Sequence, residues 1–146
     1  MKYIKFFESY SGLNLLTKLG FKDVIEIAQN IFTCSDKDTI LKISDDYITA
    51  NTMMYIKNHI KHPNIIRIKD VYKVGSLYVI ESENLDRLDI EVDYEKMNSI
   101  CESLGFSKQI FGENDLMKRG DDVVIVDIRD ISLPKQHIKK LNHNNL

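Results

Sequence analysis

The sequence predicts an α+β fold: a five-stranded antiparallel sheet carrying a helix, followed by a reduced second part. Three observations predict it. Short apolar runs recur between residues 21 and 82, with polar or glycine-containing turns between them. Between the third run and the fourth, Ile48, Met53, Ile56 and Ile60 recur at helical spacing. Further on, a second capped helical segment precedes a continuous apolar run, Val123-Val124-Ile125-Val126, which reads as a buried strand.

The elements follow in order. Residues 8–19 read as a helix, with Leu13, Leu15, Leu16 and Leu19 on one side and Gly20 as the stop. Residues 21–27 alternate and suit a strand; Gln29-Asn30 turns the chain into a second strand at 31–34. A polar turn, Ser35 to Asp38, leads into a third strand at 39–43. Ser44-Asp45-Asp46 supplies N-cap chemistry for a helix over about 47–61. Pro63 ends it, because the residue before a proline avoids helical backbone. Strands at 65–72 and 77–82 follow, joined around Gly75. Asp93 caps a helix over about 94–104, and Gly105 closes it. Residues 106–122 are irregular apart from a short strand near Leu116-Met117, and Pro134 opens a last short helix.

The chain has 146 residues, enough for one domain with a real core, so residues 1–146 are read as a single domain. Twenty basic residues face 22 acidic ones, so no global field draws the protein to nucleic acid or a membrane surface. No apolar run approaches the ~18 residues of a membrane span. The first residues, Met1 to Phe7, are too short and too soon polar for a signal peptide, and a cytoplasmic protein is expected. Cys34 and Cys101 lack a CxxC spacing and read as reduced, partly buried thiols. His59 and His62 find no third or fourth ligand at a useful spacing. The acidic residues between Asp121 and Asp130 read as a turn and solvated carboxylates, with Asp127 the exception. The basic end, Lys135, His137, Lys139, Lys140 and His143, has no interleaved aromatics and reads as a solvated face; nucleic acid is not the expected partner.

One stretch carries more. Thr39-Ile40-Leu41-Lys42-Ile43, the helix, His62-Pro63-Asn64-Ile65 and Ser76-Leu77-Tyr78-Val79-Ile80-Glu81 give the order of a lysine-bearing strand, a helix, a His-Pro-Asn-Ile stop and two apolar strands. That order resembles the small lobe of a protein kinase, placing the small-lobe-like part at 21–84 and a reduced large-lobe-like part at 85–146. On this resemblance Lys42 is the phosphate-binding lysine, Ile80 the gatekeeper, and the backbone of Glu81 to Glu83 faces an adenine. Val123 to Asp127 is similar to the strand presenting the metal-binding aspartate. Asn114 is placed like the catalytic-loop asparagine, so Asn114 and Asp127 would hold a Mg²⁺ bridging the phosphates of ATP.

The departures from the family are as informative. Val24 to Ile31 contains no glycine where the phosphate loop should lie. Met53 stands where the lysine's glutamate partner belongs, and no glutamate occurs between 44 and 62. Gln109 stands where the catalytic base belongs, and an amide accepts no proton usefully at neutral pH. Ile128 and Arg129 replace the phenylalanine and glycine after the metal-binding aspartate, and 19 residues follow Asp127, leaving no room for an activation segment.

The expectation is therefore a pseudokinase-like binding or regulatory protein without phosphoryl transfer. Its partner would be a second copy or a host protein, met through the half containing Met97, Ile100, Phe106, Ile110 and Phe111. Small kinase-like proteins of tailed phages are similar in compact build, which would place the protein in a host cytoplasm. A minimal ATP-dependent kinase using Lys42, Asn114 and Asp127, with Asp115 or Glu113 as an unconventional base, is the alternative. A nucleic-acid-associated protein using the basic end is the third reading.

Overall fold

The computed structural model describes residues 12–141. Residues 8–11 of the expected first helix, and His143 of the basic end, lie outside them. The fold is α+β, with three α-helices and a mixed sheet of six strands among the described residues. A first helix, α1, covers residues 12–18. Strands β1 (Ile25–Ala28), β2 (Ile31–Thr33) and β3 (Thr39–Ser44) form a meander. Helix α2 (Tyr47–His59) crosses to β4 (Ile68–Val74) and β5 (Leu77–Glu83). Helix α3 (Tyr94–Ser103), a 3-10 turn at Glu113–Asp115 and the hairpin of β6 (Leu116–Arg119) and β7 (Asp122–Ile125) follow. Strand β8 (Lys139–Leu141) completes the main sheet, whose order is β1-β2-β3-β5-β4-β8.

Local chemistry accounts for most boundaries. Asp46 caps α2: Oδ1 accepts from the Ile48 N–H at 3.0 Å and Oδ2 from the Thr49 hydroxyl at 2.8 Å, a cap of about 1 kcal/mol. Asp93 caps α3 through the Lys96 N–H. Asn30 turns β1 into β2 with a positive φ of 60°. Asp23 also adopts a positive φ, 55°, which is why the strand expected from residue 21 starts only at Ile25.

Strand register sorts the side chains onto two faces. Phe32, Leu41, Ile43, Tyr72, Val74 and Val79 pack with Leu15 and Leu16 of α1. The opposite face, with Val71, Tyr78 and Ile80, packs against Ala50, Met53, Met54 and Ile56 of α2. That second cluster continues through Met97, Cys101, Phe106, Leu116, Ile125 and Ile128, so the later part of the chain shares its core with the sheet and α2. Tyr55 of α2 meets the Phe106 ring edge-on at 6.0 Å.

Two expectations need correction. The sheet is mixed and six-stranded, because β8 adds parallel to β4 with Tyr72 opposite Lys139 and Val74 opposite Leu141. The helix expected after Pro134 is absent: Pro134 to Ile138 is irregular, and the chain then becomes β8. The physical reason lies on α2. Asn51 Nδ2 donates to the Pro134 carbonyl at 3.2 Å, and its Oδ1 accepts from the Gln136 N–H at 2.7 Å. These bonds hold the segment extended, against the helix-starting preference of proline. They also account for the burial of Asn51 on α2; Thr52, likewise buried, accepts from the Asp130 N–H, while Ile48 and Ile60 are only half-buried.

Candidate functional site

The β1–β2 turn sits over the end of β3. The Asn30 carbonyl accepts from the Ile43 N–H at 2.9 Å, and Glu26 Oε2 accepts from the Asn30 N–H at 3.0 Å. Lys42 is half-buried on β3, paired with Ile31 on one side and Ile80 on the other. It opens on a cleft of about 340 Å³ bounded by Gln29, Asn30, Ser44, Asp45 and Leu77. Lys42 makes no ion pair among the described residues. Met53 is 3% exposed inside the α2 core.

Register places Lys42 and Ile80 on the α2 face of the sheet, and Ile25, Thr33, Ile40 and Ser82 on the same face in a parallel row. Ile80 is buried in the core. Ile40 and Thr33 are half-buried, and Ile25 is 61% exposed, so this end of the face is an open apolar shelf.

Glu81 and Ser82 pair with β3 on one side and β4 on the other. The Glu83 N–H donates to the Arg67 carbonyl at 3.1 Å. Its side chain is held by Arg119, with Nε 2.9 Å from Oε1, and accepts from the Arg67 N–H at 2.6 Å. Burial pushes the Glu83 carboxyl up, but the Arg119 guanidinium and the Arg67 N–H outweigh it and hold it below the ordinary range. Arg119 also donates to the Pro63 carbonyl at 2.9 Å. The His-Pro-Asn-Ile stretch is tied to the hairpin as well: Asn64 Nδ2 donates to the Val123 carbonyl at 2.8 Å, and the Ile125 N–H donates to the Asn64 carbonyl at 2.8 Å.

Asn114 lies in the 3-10 turn before β6, and Asp127 lies two residues after β7. Leu116 pairs with Ile125, and the Val126 N–H donates to the Asp115 carbonyl at 2.9 Å. Asn114 is exposed and Asp127 half-buried. By ligand type, an amide oxygen and a carboxylate suit a hard cation that also binds phosphate oxygens. Asp115, an alternative base, is engaged: its Oδ2 accepts from the Gly112 N–H at 2.6 Å. The side chain of Glu113 lies outside the described atoms.

Gln109 is committed at both ends of its amide. Nε2 donates to the Ser107 carbonyl at 2.9 Å, and Oε1 accepts from the Arg129 N–H at 3.4 Å. Arg129 in turn reaches Asp46 at 2.7 Å, and that hydrogen bond first of all draws the Asp46 carboxyl down to about 2.

Asp130, read from sequence as a solvated carboxylate, is instead buried: it is 2% exposed and accepts from the Ser107 N–H at 2.8 Å and the Ser132 N–H at 2.9 Å. Its own N–H donates to Thr52 Oγ1 at 3.1 Å. Asp-x-Ser is a local turn pattern that signals the Ser132 contact; nothing in the sequence signals Ser107 or Thr52. Comparison with protein-family models gives no match, and comparison with curated proteins gives none either.

Proposed function

We propose that the chain is a binding or regulatory protein on a kinase-like framework, acting through protein contact and not through phosphoryl transfer. One observation carries the reading: the side chain standing where a kinase keeps its base is an amide, Gln109, bonded at both ends within the protein. Met53, apolar and buried where the lysine's carboxylate partner belongs, supports it. So does the framework, a lysine on β3, a helix, a His-Pro-Asn-Ile link and two strands, in the order β1-β2-β3-β5-β4. A missing base alone costs about 10²–10⁴ in rate.

The partner is a second copy of the chain or a protein of the host cell. Ile110 is 96% exposed and Ile131 is 78% exposed. They stand on two segments that Ser107, Gln109 and Asp130 lace together. Light scattering and affinity capture on the intact chain test this. Ile110→Asp with Ile131→Asp is expected to abolish the association while leaving the unfolding midpoint unchanged; association that survives both changes overturns the surface.

The alternative, a minimal phosphotransferase, would use Lys42, Asn114 and Asp127. It requires MgATP to bind. Under the binding-protein reading the half-buried Ile40 and the glycine-free β1–β2 turn leave nucleotide binding weak or absent. A thermal shift of several degrees with MgATP, lost in Asp127→Ala, would favour the phosphotransferase instead.

A further inference from the structure

We propose that the groove between the β4–β8 edge and the start of α2 binds single-stranded nucleic acid. The groove has a volume of about 850 Å³ and is lined by Tyr47, Lys73, Tyr78, Lys135, Lys139 and Lys140, among others. It is separate from the kinase-like cleft, which opens at the β1–β3 end of the sheet.

Charge is the first argument. The protein is acidic overall, at −2, yet the parallel pairing of β8 sets Lys140 directly opposite Lys73. Like charges facing each other across a strand pair are destabilising. Lys139, the neighbour, is neutralised by Asp70 at 2.8 Å. Lys73, Lys135 and Lys140 form no ion pair among the described residues. Lys73 lies over the Tyr78 ring, 5.4 Å from its centroid, and three lysines without a carboxylate partner on one groove favour a polyanion.

Aromatic geometry is the second. The basic end carries no aromatic of its own, but the fold supplies one. Tyr47, 36% exposed, forms part of the groove wall. Its hydroxyl donates to Asn51 Oδ1 at 3.3 Å, and the buried Tyr78 backs it with ring centroids 6.4 Å apart. A ring held in place beside unpaired cations is the arrangement that stacks a base while lysines follow its phosphates. A duplex offers no free base face. A phosphopeptide site would be expected to use arginine forks, and no arginine lines this groove.

The test is fluorescence anisotropy with the full chain and a labelled oligothymidine or oligouridine of about 10 nucleotides, within the range of single-strand sites. Binding is expected at about 50 mM salt, with log affinity falling against log salt at a slope of about −2 for three phosphate contacts. Lys135→Ala with Lys140→Ala should bring that slope to about −0.7. Tyr47→Ala should weaken binding about tenfold or more with the slope unchanged, and Tyr47→Phe should restore it. Lys135 and Lys140 are exposed, so the lysine variant tests the proposal even if Tyr47→Ala fails to fold. No binding at about 50 mM salt, equal binding of a duplex of the same length, full competition by a phosphopeptide or by anionic phosphatidylserine vesicles, or indifference to the lysine changes would each overturn it.

Discussion

Asp130 is almost fully buried, and Oδ1 also accepts from the Ser132 hydroxyl at 2.6 Å. Burial raises its pKa, but the hydrogen bonds from Ser132 and Ser107 outweigh it, so the carboxylate stays ionised below the ordinary range. Asp130→Asn places donors where acceptors are needed. It is expected to cost about 1–3 kcal/mol in urea unfolding. Arg119 gathers Glu83 and the Pro63 and Ile65 carbonyls with one planar fork. Arg119→Ala should cost about 2 kcal/mol, and Arg119→Lys should recover less than half of that, since an ammonium cannot fork. Asp46 has a folded-state pKa of about 2, below its ordinary value of 3.8. Its stabilisation is therefore fully present above pH about 4 and is lost as pH falls toward about 2. Asp46→Asn keeps a capping oxygen but removes the charge. It should flatten the acid limb of the stability curve by about 1 kcal/mol, a figure discounted for solvent screening.

At the scale of elements, the strap from Pro134 to β8 depends on one side chain. Tyr47, Pro134 and Gln136 all meet Asn51, and Asn58 adds a bond to Gln136 Oε1 at 3.1 Å. Asn51→Ala is expected to release β8. Amide exchange should then accelerate at Lys139–Leu141 while β3 and β5 keep their protection; unchanged protection in β8 would show that the strand pairing alone holds it. The elements from β3 to β5 were legible in the sequence because their signals are local: Asp46 as a cap, Pro63 as a stop, and Gly75, with a φ of 60°, as the β4–β5 turn. Strand β8 was not legible. Its position is set by Asn51, more than 80 residues away in sequence, and the local preference of Pro134 pointed to a helix. The candidate site divides the same way. Lys42 and Ile80 were singled out by a resemblance in the order of motifs, whereas the commitment of Gln109 to Arg129 needed the tertiary structure.

At the scale of the whole molecule, one apolar cluster joins the later part of the chain to α2 and the sheet, and a second cluster lies on the α1 side. Met97, Phe106, Leu116 and Ile125 pack with α2 and the sheet in one cluster. Equilibrium unfolding is therefore expected as a single cooperative transition, with circular dichroism and tyrosine fluorescence coinciding; two separated transitions would show independent lobes. Of the five apolar side chains expected in the second half, Met97 and Phe106 are buried, Ile100 and Phe111 half-buried, and Ile110 exposed. No helix among the described residues is long and apolar enough to cross a membrane. The central claim is that the chain binds a partner without transferring phosphate. Incubation of the purified chain with γ-labelled ATP and Mg²⁺, alone and with generic protein substrates, tests it most directly. The account predicts no label on the chain or on the substrates; transfer that disappears in Lys42→Ala would contradict it.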